Sequence, residues 1–229
     1  MPFVNEMFVD AYQHDRPGLN KTFGGYQKEI LFQQSSITRG GRNIRFDPGA
    51  SYADLSDLST VEQLVKTAEK ERIYVLTWGP MTESAMAVKH CLSTDNLTAL
   101  RNMTFIVHWA KSWINQGTPE QPFKVANCND DRAACDFMHE TALTHDEVKL
   151  IELGSVGQSG IVNGSAGFPH FDVFEDSRLG QILRHAKFYY GKPDQSDAST
   201  FWALTGEFGV RIYDYAFNGS LTQQHEEEM

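Results

Sequence analysis

With 229 residues and 41% hydrophobic content the chain can bury one full core, and its length fits a single domain over residues 1–229. A formal charge of -10, with Lys and Arg scattered and the acidic run Glu226-Glu227-Glu228 at the end, excludes nucleic acid as the main partner. No apolar run is long enough to cross a bilayer, so no membrane partner is expected, and Met1-Pro2-Phe3-Val4-Asn5-Glu6 lacks the basic-then-apolar pattern of a signal peptide.

Val4, Met7, Phe8, Ala11 and Tyr12 recur at helical spacing and predict an amphipathic helix ending before Pro17-Gly18. A polar loop follows around Arg39-Gly40-Gly41-Arg42 and Asp47-Pro48-Gly49. Asp57-Leu58-Ser59-Thr60 then caps a helix through Val61, Leu64, Val65 and Ala68. The run Ile73-Tyr74-Val75-Leu76-Thr77 suits a strand covered on both faces, and Gly79-Pro80 breaks it before a helix from Met81 to Leu92. Met103 to Trp109 reads as a second buried strand, Asp130 to His139 as a helix, and Val148 to Leu153 as a third strand. Gly154 to Gly167 reads as a long surface loop; helical periodicity returns near Leu179 to Leu183 and again after Pro193. This alternation predicts an α/β fold with a mostly parallel, doubly wound, Rossmann-like sheet. Ligands of such sheets sit where strands turn into helices, which directs attention to Trp78-Gly79-Pro80-Met81.

Cys91, Cys128 and Cys135 form no close metal-binding pair, and an odd number leaves at least one free thiol. His108, His139, His145, His170 and His185 show no zinc-like spacing. Asn-x-Ser/Thr triplets begin at Asn20, Asn96, Asn102, Asn163 and Asn218; they fit a secreted eukaryotic chain and mean nothing in a bacterial one. The compartment stays open, with a secreted or periplasmic location favoured over the cytoplasm.

Three motifs, in order, resemble the nucleoside-hydrolase superfamily. Gly79-Pro80-Met81-Thr82 is similar to that family's Gly-Pro-Leu-Thr turn, whose threonine carbonyl binds calcium. Asn127-Cys128-Asn129-Asp130-Asp131-Arg132 resembles its asparagine-bearing strand end and the helix that follows, which hold ribose. Ser196-Asp197-Ala198 stands where the family carries His-Asp-Pro. Trp78-Gly79 and the stretch Gly191 to Trp202 look closer still to the nucleoside-hydrolase-like branch described as cellulose-binding. The resemblance covers about Tyr12 to Tyr215. It implies hydrolysis of a ribosyl or related glycosidic bond by a calcium-bound water, with the Asp197 carboxylate and the Thr82 carbonyl on the metal. Trp78, Asn115, Asn127 and Asn129 would then contact a small sugar or nucleoside-like ligand, and a homo-oligomer is compatible with this reading.

The family's aspartate cluster after its first strand has no counterpart, so an N-terminal strand segment is expected to be missing. Asp10 and Asp15 have a tempting separation, but Asp10 lies within the amphipathic helix pattern and the spacing reads as coincidence. Ser196 replaces a histidine that helps the leaving base depart, and serine is no general acid near neutral pH. Lys124 and Val125 occupy the neighbourhood of a carboxylate that precedes the ribose-binding asparagine. The alternative is therefore a non-catalytic carbohydrate-binding or protein-interaction relative. Asp197 reads equally well as the cap of the helix through Ser199 to Leu204, Trp78 as core, and the asparagines as partners of nearby backbone.

Overall fold

The computed structural model describes residues 2–22, 24–30, 44–112, 121, 123–155, 157, 176–184, 188–189, 192–194 and 196–205. In chain order the elements begin with α1 (Pro2–Thr22), α2 (Ser59–Ala68), β1 (Ile73–Thr77), α3 (Thr82–Ser93), α4 (Leu97–Asn102) and β2 (Met103–Val107). There follow β3 (Lys111–Ser112), β4 (Phe123–Lys124), α5 (Ala126–Asn129), α6 (Arg132–Thr144) and β5 (Lys149–Glu152). The last are α7 (Arg178–Arg184), β6 (Phe188–Tyr189), β7 (Lys192–Pro193) and α8 (Ala198–Thr205). Two compact units result, one of Met1–Gln34 with Val162–Asp194, the other of Ser35–Ile161 with Gln195–Met229.

In the larger unit β1, β2 and β5 pair in parallel, in the order β1-β2-β5. Val75, Phe105 and Leu150 share one row of the ladder, and Leu76, Ile106 and Ile151 the next. Side chains alternate across a strand, so these rows serve opposite faces. On the Phe105 face Val61, Val65, Ala85, Met86, Leu100, Cys135 and Met138 from the helices complete the main core. On the other face Ile106 and Leu153 meet Ala203 of α8, with Leu76, Ile151 and Leu204 packed against them. Burial of side chains such as Phe105, Ile106 and Leu150 contributes roughly 1.5–3 kcal/mol each. The mixed α/β class and the parallel sheet are thus as the sequence predicts.

Polar caps fix where helices start. Asp131 accepts from the Ala134 N–H at 3.3 Å to open α6, and Asn96 accepts from the Ala99 N–H at 3.2 Å to open α4. The start of α2 differs from expectation: Leu58 holds the cap position, with no side-chain cap. Leu58 is drawn into the core, which places Ser59 already inside the first turn.

In the smaller unit α1 runs through Pro17 to Thr22 instead of stopping before it. The returning segment explains this. Tyr12 Oη and Arg16 Nε both donate to the Gln27 carbonyl, at 2.5 and 2.7 Å, and Gln13 Nε2 donates to the Lys28 carbonyl at 3.0 Å. Such bracing overrides a local penalty of about 3 kcal/mol for an interior proline. Asp15 accepts from the Leu179 N–H at 2.7 Å and from His14 Nδ1 at 2.9 Å, so it caps α7. Burial pushes its carboxyl up, but these donors and the His14 charge outweigh that and hold it below the ordinary value.

Candidate functional site

The parallel register brings Thr77, Val107 and Glu152 to one end of the sheet. His108 N–H donates to the Thr77 carbonyl at 3.1 Å and Leu153 N–H to the Val107 carbonyl at 3.0 Å, carrying the ladder one step further. Beyond it lie Trp78 after β1, His108-Trp109 after β2 and Gly154 after β5. The start of α8 meets this end. Trp78 Nε1 donates to Thr200 Oγ1 at 2.7 Å, and that hydroxyl donates to the Asp197 carbonyl at 2.8 Å. The Trp78 residue is nevertheless 54% exposed, so an indole bonded at Nε1 still leaves about half of the residue in solvent. Gly157 also abuts α8: a side chain there would run into the Ser196 carbonyl and Ser199 Oγ. Trp109 Nε1 and Ser199 Oγ are buried and make no hydrogen bond among the described residues.

The exits of β2 and β5 carry a closed polar network. Glu152 Oε1 accepts from the Ala110 and Lys111 N–H groups at 2.9 and 2.6 Å, and Oε2 lies 2.5 Å from His139 Nε2. His139 Nδ1 donates to the Cys135 carbonyl at 2.8 Å, because a carbonyl can only accept. Two peptide donors favour the charged form of Glu152. Burial pushes the Glu152 carboxyl up; the His139 charge and hydrogen bond, with the two backbone donors, outweigh that and leave it below the ordinary value. Both residues are 2% exposed, sealed from solvent.

Of the residues singled out from the sequence, Thr82 donates its hydroxyl to Asp131 Oδ2 at 2.5 Å, and that oxygen also accepts from the Phe46 N–H at 2.9 Å. Asn127 Nδ2 donates to the Trp109 carbonyl at 2.9 Å, and Asn129 Nδ2 to the Lys124 carbonyl. Both amides thus serve local backbone, Asn127 pinning the β2 exit. Asp197 directly precedes α8, and its carbonyl accepts from the Thr200 N–H at 3.1 Å. Asn115 lies outside the described residues. The structure thus joins Trp78 to the Asp197 turn through Thr200 and ties Thr82 to Asp131.

Calcium takes six to eight oxygen ligands. The Asp197 carboxylate and the Thr82 carbonyl would supply two, and among the described residues the group of His, Cys, Asp or Glu that could hold a metal is elsewhere, at Cys128, Cys135 and Asp136. There the sulfurs are joined in a disulfide and Asp136 pairs with Lys124. The described residues by themselves therefore do not fit a calcium centre. Cys91 is the free thiol, pushed up to about 12 by burial and by the charge of Glu69.

Among the described residues, cavities of about 430 and 410 Å³ lie beside Asp15 and, at the opposite end of the sheet, between Arg72, Arg101 and Lys149. The His139–Glu152 pair is what sequence reasoning missed. Its signal was a glutamate closing an apolar strand, which must find a partner if buried. The chain matches no protein-family model and no curated protein. No helix among the described residues is long and apolar enough to cross a membrane.

Proposed function

We propose that the chain is a carbohydrate-binding relative of the nucleoside hydrolases that takes a sugar-type ligand at the exit of β1. The observation that carries this reading is Trp78, half exposed yet held at Nε1 by Thr200. A fixed indole offers a C–H-rich sugar face a flat apolar surface at little entropic cost. Asp197, only partly buried at the start of α8 and joined to Trp78 through Thr200, is suited to accept hydrogen bonds from sugar hydroxyls. The disulfide supports an oxidising compartment, and with it secretion.

Calorimetric titration with ribose and with cello-oligosaccharides tests this. Trp78→Ala should weaken binding at least tenfold while lowering stability only modestly, by the hydrogen bond to Thr200 and the covered half of the ring. Equal binding by the variant, or no sugar binding at all, would sink the reading.

A second reading, hydrolysis of a ribosyl-type bond, is favoured by Asp197 lying one turn from the hydroxyl that fixes Trp78. It needs calcium ligands beyond the described residues. Calcium titration with and without ribose separates the two readings: binding that ribose strengthens, and that Asp197→Asn abolishes, supports the hydrolase.

A further inference from the structure

We propose that Asn20 is an N-glycan acceptor and that Asn96 and Asn102, which head triplets of the same pattern, are not. The pattern alone treats the three alike. Their side chains do not.

Glycan attachment acts on the side-chain nitrogen. Nδ2 forms a bond to C1 of an oligosaccharide carried on a polyprenyl pyrophosphate, the C1–O bond breaks, the pyrophosphate leaves with its electron pair, and Nδ2 loses one proton. The product is bulky and belongs on the surface. An acceptor compatible with the folded chain is therefore exposed and has no structural use for Nδ2.

Asn96 fails on both counts. It is half-buried, its Nδ2 donates to Glu69 Oε1 at 2.9 Å, and its Oδ1 caps α4. Asn102 fails too. Its half-buried side chain donates from Nδ2 to the Ala68 carbonyl at 2.8 Å, tying the end of α4 to the end of α2, and its triplet runs directly into the central strand β2. Asn20 meets both conditions. It is exposed in the last turn of α1, Lys21 and Thr22 beside it are exposed, and its Nδ2 makes no hydrogen bond among the described residues. Among the described residues its side chain is used through Oδ1, which accepts from the Tyr26 N–H at 3.3 Å, and an N-linked sugar leaves that oxygen in place. The Cys128–Cys135 disulfide points independently to the oxidising route along which such sugars are added.

The test is site-resolved. The full chain is directed into the secretory pathway of a eukaryotic host, and total protein, retained and exported, is treated with an amidase that releases N-glycans and converts each occupied Asn to Asp. Peptide mass spectrometry should find Asn20 converted in most molecules and Asn96 and Asn102 unconverted. Asn20→Gln should lose that glycan without a change in melting temperature, whereas Asn102→Gln should keep it and melt lower. An unmodified Asn20, or occupancy at Asn96 or Asn102 equal to that at Asn20, overturns the assignment.

Discussion

At the exits of β2 and β5 the Glu152 carboxylate is held by the Ala110 and Lys111 N–H groups and by the His139 ring, that ring also bonds the Cys135 carbonyl, and both residues are sealed from solvent. At the exit of β1, in the same position relative to the sheet, one hydrogen bond holds Trp78 and half of the residue stays in water. The first arrangement is a brace: it fixes the chain after β2 from the β5 side, while Asn127 fixes it from α5. The second leaves apolar surface uncovered beside polar groups. Proximity to the ends of parallel strands therefore does not by itself make a titratable group functional; what separates the Glu152–His139 pair from Trp78 is that the pair is sealed from solvent and half of the tryptophan is not.

The sharpest way to break this contrast is Glu152→Gln. The amide keeps the shape but removes the charge around which the Ala110 and Lys111 N–H groups and His139 are arranged, and loss of one member of a buried pair costs about 3–5 kcal/mol. Urea denaturation should show that loss, with sugar binding at the β1 exit unchanged in the folded fraction. The pH dependence has a definite sign. The folded carboxyl sits below the ordinary glutamate value of 4.5, so its stabilisation is fully present above that value and disappears as pH falls through the lower, folded one. The gap between wild type and Glu152→Gln should accordingly narrow in acid below pH 4.5. A gap no larger than that produced by Glu147→Gln, an exposed partner of Arg101, would show that the buried pair is not ionised.

A smaller loss is expected from opening the disulfide. Cys128 and Cys135 are separated by 7 positions, and a loop of that size restricts the unfolded chain by about 2 kcal/mol. Cys128→Ser with Cys135→Ser should lower stability by that amount. Because Asn127 neighbours Cys128 and His139 accompanies Cys135 on α6, hydrogen exchange at residues 108–111 should rise, with no change at Trp78. Exchange rising equally at both exits would mean that brace and platform are one unit.

Much of this scaffold was legible in residue patterns. The apolar runs at Ile73, Met103 and Val148 became β1, β2 and β5, but only the central β2 is buried along most of its length, and β1, expected to be covered on both faces, leaves Tyr74 exposed. Trp78 was legible as a residue at a strand's end with an apolar face and a donor. The passage of α1 through Pro17 was not, since the bonds that brace it come from Gln27 and Lys28, beyond the helix itself. Nor was the His139–Glu152 pair: it arises from how α6 docks against β5, and a helical histidine carries no local mark of which strand end it will meet. Thr82, read from a motif as a carbonyl donor, turned out to have a second use, its hydroxyl on Asp131 tying the turn after β1 to the start of α6.

The finest test concerns what holds the open exit in shape. Thr200 accepts from Trp78 Nε1 and passes its own proton to the Asp197 carbonyl, so Thr200→Val removes both bonds and keeps the volume nearly constant. Neutral hydrogen bonds contribute about 1 kcal/mol each, and the half-exposed indole can turn to water, so the stability loss should stay near 1 kcal/mol. The larger consequence falls on the ligand. A ring free to rotate must be ordered when a sugar stacks on it, which costs about 0.5–1.5 kcal/mol and weakens binding by roughly two- to tenfold. Affinity should fall within that range while Trp78→Ala falls further. Unchanged affinity in Thr200→Val would mean that the indole is held by its packing, and that the hydroxyl at the start of α8 serves only the Asp197 turn.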